Sequence, residues 1–209
     1  MGRRPNPQRK QDLLAEIVSY LGEHGIGDLS LRPLAKRLGT STYTLTYQFG
    51  SKDQLLADAV RHALALEVAG VSELAAAKPV AQPSDLVRRM WDWSTRSENL
   101  RLVRMLLEAT TLAYSQPDVF GGVGQQIVSD GVDLLRNAME QSGIDPALAS
   151  RLATQAYATL IGLQVDLIAT GDRDRVTRAL DELCHSLDDA AERPAALAAE
   201  RPAALAAER

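Results

Sequence analysis

Apolar residues recur every three or four positions along most of the chain, and no run of alternating β-branched residues marks a half-buried strand. Aromatic residues are only 4% of the whole, which weakens any strand assignment further. The chain therefore reads as all-α. A first helix fits about Pro7 to Glu23, with Leu13, Leu14, Ile17, Val18 and Leu21 on its apolar face, and "HGIGDLS" ends it with two glycines. Ser30 is expected to cap a short helix, "LRPLAKRLG", with Pro33 in the first turn, where a missing N–H costs little, and Gly39 stops it. Ser41 caps "TYTLTYQF". Ser51, with Gln54 completing a capping box, opens a fourth helix that runs through Leu74. After two prolines in "AAAKPVAQPSD", Ser84 is the next expected cap. Further helices are expected at about 85–97, 99–115, 122–141, 146–170 and 173–190, joined by the turn-rich segments "YSQPDVFGG", "QSGIDP" and "TGDRD". The octad "RPAALAAE" at 193–200 recurs identically at 201–208. Two copies are too few to stack as a solenoid, so 191–209 reads as a low-complexity appendage, partly helical or disordered.

Charge divides the chain unevenly. Residues 1–56 hold eight basic and five acidic side chains, a balance of +3, and the remainder carries −7 within the total of −4. A basic head on an acidic body suggests that the head alone meets a polyanion. Arg3, Arg4, Arg9 and Lys10 fit either an arm that adds phosphate contacts or a solvated end. With 209 residues, 45% apolar and 24% charged, the chain can bury a core without disulfides. Its one cysteine, Cys184, permits no internal disulfide and fits a reducing, cytoplasmic setting. The start "MGRRPNPQRKQDLL" lacks the apolar segment of a signal peptide, and the most apolar stretch, Leu160 to Ala169, is broken by Gln164 and Asp166; no membrane partner is expected.

Two short helices joined by a tight turn inside a three-helix head make a helix-turn-helix, here 31–38, "GTS" at 39–41, and 42–48. Leu34, Ala35, Leu38, Leu45 and Phe49 can pack inward, and Gly39 tolerates the positive φ of a tight turn. The second helix then presents Thr42, Tyr43, Thr44, Thr46 and Tyr47 outward. Short hydroxyls and Thr methyls suit base edges in a major groove; Tyr hydroxyls and a helix N-terminus suit phosphates.

At these residues the sequence resembles the TetR family of bacterial transcriptional regulators. Ser30, Leu34, Ala35, Gly39, Thr40, Ser41, Leu45, Phe49, Ser51, Lys52 and Leu55 fall on the family pattern, and the likeness in motif covers about 9–68. Two positions depart from it: Thr46 stands where the family has Tyr, and Gln48 where it has His. The resemblance implies a homodimer that binds a double-stranded operator and releases it when a small molecule enters the C-terminal domain. It places Lys52 near the DNA backbone. The expected organisation is a DNA-binding domain at 9–68 with its motif at about 30–49, a helical ligand-binding and dimerisation domain at 69–190, and the repeated tail at 191–209. The DNA-binding candidates are Ser30, Thr40, Ser41, Thr42, Tyr43, Thr44, Thr46, Tyr47 and Lys52. A second reading, favoured by the two departures, is a helical small-molecule-binding protein without sequence-specific DNA binding.

The last two helices, about 146–190, read as a dimer surface. Leu148, Leu152, Ala156, Leu160 and Leu163 lie on one side of the first; Ala158, Gly162, Val165 and Ala169 lie on another. A helix apolar all round must be covered all round. In the last helix Val176, Leu180, Leu183 and Leu187 follow a spacing suited to helix pairing. For the small-molecule effector, Met90, Trp93, Met105, Glu108, Thr111, Tyr114, Phe120 and Tyr157 combine large apolar groups with a few polar ones, as pockets do, and equally fit an ordinary core. Three scattered histidines and one cysteine form no metal spacing or catalytic dyad, and "FGGVG" lacks the lysine and strand of a phosphate loop. No enzyme activity, metal or cofactor is expected.

Overall fold

The computed structural model describes the backbone of residues 7–27 and 29–207 and the side chains of 8–27 and 29–192; Arg3 and Arg4 lie outside the described residues. Within them the chain is helical, without a strand: α1 (Pro7–His24), α2 (Leu31–Arg37), α3 (Thr42–Phe49), α4 (Lys52–Ala77), α5 (Pro83–Ser94), α6 (Ser97–Ser115), α7 (Pro117–Gln141), α8 (Pro146–Thr170) and α9 (Arg173–Ala207).

Local chemistry sets most of the ends. The Ser41 hydroxyl accepts the Thr44 N–H at 3.1 Å and Ser51 accepts that of Gln54 at 3.0 Å, as caps should. The capping box is only half formed, because the Gln54 amide donates forward to Asp58 instead. Asp145 caps α8 by accepting from Ala147 and Leu148, and Gly171, at φ +70°, closes it. Two expected caps are absent. Ser30 has the extended backbone of a cap but makes no side-chain bond into α2. Pro33 at the third helical position has no N–H to offer, which removes one of the two usual donors to a cap. Ser84 lies inside α5, buried, and donates its N–H and hydroxyl to the Asp188 carboxylate at 3.0 and 2.7 Å. Asp85 instead accepts the Ala81 and Gln82 N–H groups ahead of the helix.

Two boundaries also differ. α7 starts at Pro117, so only Gln116 separates it from α6. The glycines that suggest a linker are helical, and Gly124 meets α6 so closely that a Cβ there would stand 2.6 Å from that of Ala113. α9 continues past 190 through both octads to Ala207; Ala, Leu and Glu are strong helix formers that outweigh the two prolines.

The chain divides into two compact units that are discontinuous in sequence. One comprises residues through Gly70 together with Ser94–Asp130. Its core joins Ile17, Leu21 and Ile26 with Leu34, Leu45 and Phe49 of the head and with Met105, Leu106 and Phe120 of α6 and α7. Each such buried side chain contributes about 1.5–3 kcal/mol relative to exposure. The other unit comprises Val71–Trp93 and the chain from Gly131 on. In it Val176, Leu180, Leu183 and Leu187 of α9 are buried in a core shared with Leu152, Ala156 and Leu160 of α8. The α9 stripe expected to pair with a second subunit is thus consumed inside the chain. Arg88–Asp181 at 2.5 Å and Ser84–Asp188 tie α5 to α9. The Tyr157 ring of α8 lies over Gly131 of α7, at a spot only a glycine leaves vacant.

The outward side of α8 exposes Ala158, Gly162, Val165 and Ala169, as the two-sided pattern requires. By length and composition α8 could cross a membrane, with a mean hydropathy of 1.2 over an 18-residue window. One side of it is nonetheless core, with Gln164 buried there.

Candidate nucleic-acid interface

The turn between α2 and α3 is built from backbone bonds. Gly39, at φ +59°, lets its own N–H reach the Lys36 carbonyl at 3.3 Å and the Thr40 N–H reach that of Ala35 at 2.9 Å. This pair of bonds is a Schellman ending, which turns the chain sharply and satisfies the last carbonyls of α2. Leu34, Ala35, Leu45 and Phe49 are buried behind the turn, and Leu38 packs against them partly exposed. α3 ends at Gly50, φ +83°, whose N–H reaches Thr46.

With that inner face fixed, the outer face of α3 is set. Tyr43 is 75% exposed and Tyr47 43%, their rings stacked at 6.3 Å one turn apart. Tyr43 does not cover the core; it stands off it. Ser30, Leu31 and Arg32 at the start of α2 face Thr42, Tyr43 and Thr46 across an open groove of about 530 Å³. Ser30, whose side chain makes no cap bond, is exposed here. Not every hydroxyl is available. Ser41 and Thr44 bond to each other at 2.9 Å, and the exposed Thr46 donates its hydroxyl back to the Thr42 and Tyr43 carbonyls at 3.1 Å. Thr40 is half-buried at the turn. Lys52 is exposed in the first turn of α4, and neither it nor Arg32, Lys36 and Arg37 pairs with a carboxylate among the described residues. Arg32 was not among the sequence candidates; its place two residues after Ser30 was the available signal.

Lys10, by contrast, is not a free arm. Its ammonium pairs with Asp58 at 2.7 Å and lies 5.2 Å from the Phe49 ring centre, fastening α1 to the end of α3 and to α4. Burial pushes the Asp58 carboxyl up, but hydrogen bonds from Lys10 and Gln54 and the charges of Lys10 and Arg61 outweigh it and hold it below the usual carboxylate range. A depressed carboxylate stabilises the fold above the usual range and loses that contribution as pH falls through its folded value. Gln48 leaves its amide oxygen buried and without a partner among the described residues.

The expected effector residues are divided between the two compact units. Met90 and Tyr157 are buried in the core of the second unit, with Trp93 packed partly exposed against it. Met105 and Phe120 are buried in the core of the first. Thr111 is exposed, its hydroxyl bonded to the Leu107 carbonyl, and Tyr114 is 94% exposed. Glu108 is half-buried and accepts the backbone N–H groups of Ile26 and Gly27, both at 2.9 Å. A cavity of about 530 Å³ in the second unit is lined instead by residues including Gln82, Ile144, Leu148, Asp188 and Glu192, none of them a candidate.

A helix capped by Ser41, joined to its predecessor by a glycine turn and presenting an aromatic and hydroxyl surface beside cations with no carboxylate partner among the described residues, is a helix-turn-helix DNA-binding head. Residues 10–59 match the model of the family described as bacterial regulatory proteins, tetR family. The fold of the chain is that of solved regulators: a TetR-family transcriptional regulator from Agrobacterium tumefaciens (TM-score 0.73, 18% identity, covering 88% of this chain and 100% of that one) and a transcriptional regulator from Rhodococcus sp. Rha1 (TM-score 0.72, 20% identity, 85% and 95%). The multidrug binding protein EbrR in complex with imidazole is also similar (TM-score 0.61, 26% identity, 88% and 94%). No curated protein sequence matches the chain. The head matches the TetR-family model, and the chain as a whole has the fold of solved transcriptional regulators of that family.

Proposed function

We propose that this protein is a homodimeric, cytoplasmic transcriptional repressor without enzymatic activity or cofactor, released from its operator by a small molecule. The observation that carries the reading is the outward face of α3. Tyr43 and Tyr47 are exposed on a rigidly capped helix, across a groove from Ser30 and Arg32. Such a face suits base edges, and the surrounding Lys36, Arg37 and Lys52 suit phosphates. The head at 9–68 is the DNA-binding part, and 69–190 the part that takes the effector and pairs the subunits, with 191–209 an appendage. The dimer forms through the exposed small-residue face of α8 within 146–190. That a similar protein binds imidazole and, in another structure, proflavin supports an effector of small-molecule size.

A gel shift with DNA flanking the protein's own coding region, against random DNA of equal length, tests the reading; equal affinity for both would end it. Within that assay Tyr43→Ala separates recognition from folding. Because Tyr43 is 75% exposed, its truncation should change stability by no more than about 0.5 kcal/mol. Discrimination between operator and random DNA should fall by roughly 1–3 kcal/mol, the scale of one base contact. Unchanged discrimination removes Tyr43 from the reading surface. Lys52→Ala should weaken operator and random DNA alike and lower the slope of log K against log salt by about one per contact in each subunit. An unaltered slope with full affinity would exclude a phosphate contact there.

A further inference from the structure

We propose that Glu108 of α6 is a positioning residue for operator binding: by gripping the turn that follows α1 it fixes the angle at which α2 and α3 leave the rest of the head. The inference rests on the DNA-binding reading above.

The grip is specific. The two carboxylate oxygens divide between two successive backbone donors, Oε2 taking the Ile26 N–H and Oε1 that of Gly27, each at 2.9 Å. Bonds from N–H groups to a charged carboxylate are shorter and stronger than neutral ones. The two glycines of "HGIG" lie directly against the carboxylate. Gly25 sits at φ +85°, where side chains are strained, and a Cβ there would stand 3.4 Å from Oε2; at Gly27 it would stand 3.5 Å from Oε1. Of the two, only Gly25 is required by its backbone, through its positive φ; a side-chain carbon at Gly27 would meet the carboxylate at ordinary contact distance. Seven residues earlier on α6, Arg101 pairs with Glu23 at 2.8 Å, and its Cβ lies 3.1 Å from where Gly22 would carry one. The last turn of α1 and the turn after it are therefore held along two turns of α6.

Met105, Leu106 and Ala109 of α6 are buried in the core of this unit, so the clamp is anchored there. Leu29 is buried and bonds back to the Ile26 carbonyl, and α2 starts at Leu31. Whatever sets the Ile26–Gly27 peptides thus sets the start of α2, whose Ser30 and Arg32 form one wall of the groove facing α3.

The test uses the full-length protein with Glu108→Gln, nearly isosteric but able to offer only one acceptor oxygen, and Glu108→Ala, which offers none. Active concentration is fixed by stoichiometric titration, so that unfolded protein does not count. Amide hydrogen exchange at Ile26 and Gly27 should quicken by about ten-fold or more in the alanine variant, with glutamine intermediate. The ratio of operator to random-DNA affinity should fall about ten-fold in the same order, because a misplaced helix loses base contacts before phosphate contacts. If Glu108→Ala does not fold, Glu108→Gln alone decides. Faster exchange with a ratio kept within about two-fold of wild type would make Glu108 a loop fastener only and overturn the proposal. Unchanged exchange would deny the grip itself. Wild-type protein without operator preference would sink the DNA-binding reading, visibly before any variant is compared, and this inference with it.

Discussion

Gly162→Leu should turn the protein into a monomer while leaving the subunit's own fold intact. Gly162 is exposed on the outward side of α8, and no atom of the chain lies within 4 Å of the position its Cβ would take. A leucine there meets nothing inside the subunit. It also removes a glycine from a helix interior, a gain of up to about 1 kcal/mol. Across the proposed interface the balance reverses. Overpacking costs about 1–3 kcal/mol per site, and two-fold symmetry repeats the clash. The sum of roughly 2–6 kcal/mol weakens association by about 30-fold to more than 10,000-fold. Sedimentation equilibrium should report the monomer, thermal melting at high concentration a folded one, and the gel shift a loss of operator binding. A variant that sediments as wild type does would move the interface off this face of α8.

Gly131→Ala should lower stability, although by helix propensity alone it ought to raise it. The added methyl would fall 2.1 Å from Cε2 and 2.3 Å from Cζ of Tyr157, far inside contact distance. The ring is buried at 6% exposure among the residues of the second core and cannot swing to solvent without opening it. The overpacking cost of about 1–3 kcal/mol therefore exceeds the propensity gain of about 1 kcal/mol over most of its range. At about 2–4 °C per kcal/mol for a chain of this size, the melting temperature should drop by several degrees. A double-mutant cycle isolates the cause. In a Tyr157→Leu background the same Gly131→Ala change should cost less, since the ring it strikes is gone. Equal cost in both backgrounds, or a variant that melts above wild type, would show that α7 and α8 adjust freely.

What could be read in advance depended on how local the cause was. Leu13, Ile17 and Leu21 repeat at helical spacing, and Gly39 followed by Ser41 is a turn and a cap whatever surrounds them, so the helices and the helix-turn-helix were legible. Ser30 misled because it has the backbone of a cap without the side-chain bond, and Pro33 three residues on leaves it one donor fewer. Ser84 misled for a different reason: its partner, Asp188, is 104 positions away. The compact units were illegible from periodicity, which shows that Met105 and Phe120 face inward but not that they join Ile17 and Leu45. Glu108 was the hardest case. A carboxylate among apolar helical residues looks the same in sequence whether it awaits a ligand or holds two backbone N–H groups. The exposure of Tyr43 and Tyr47, in contrast, followed from the inward positions of Leu45 and Phe49 on the same short helix.

The first core has a consequence for exchanging parts between regulators of this fold. The family-model match ends at residue 59, and a chimera joined shortly after it would look natural in an alignment. Such a graft would carry Ile17, Leu21 and Ile26 without Met105, Leu106 and Phe120, and would replace the Glu108 carboxylate with whatever the recipient places on its own α6. A head transplanted together with 94–130 keeps its packing and its grip; one cut at the motif boundary inherits a foreign floor. The transferable module is defined by a shared interior, with two stretches of sequence travelling as one.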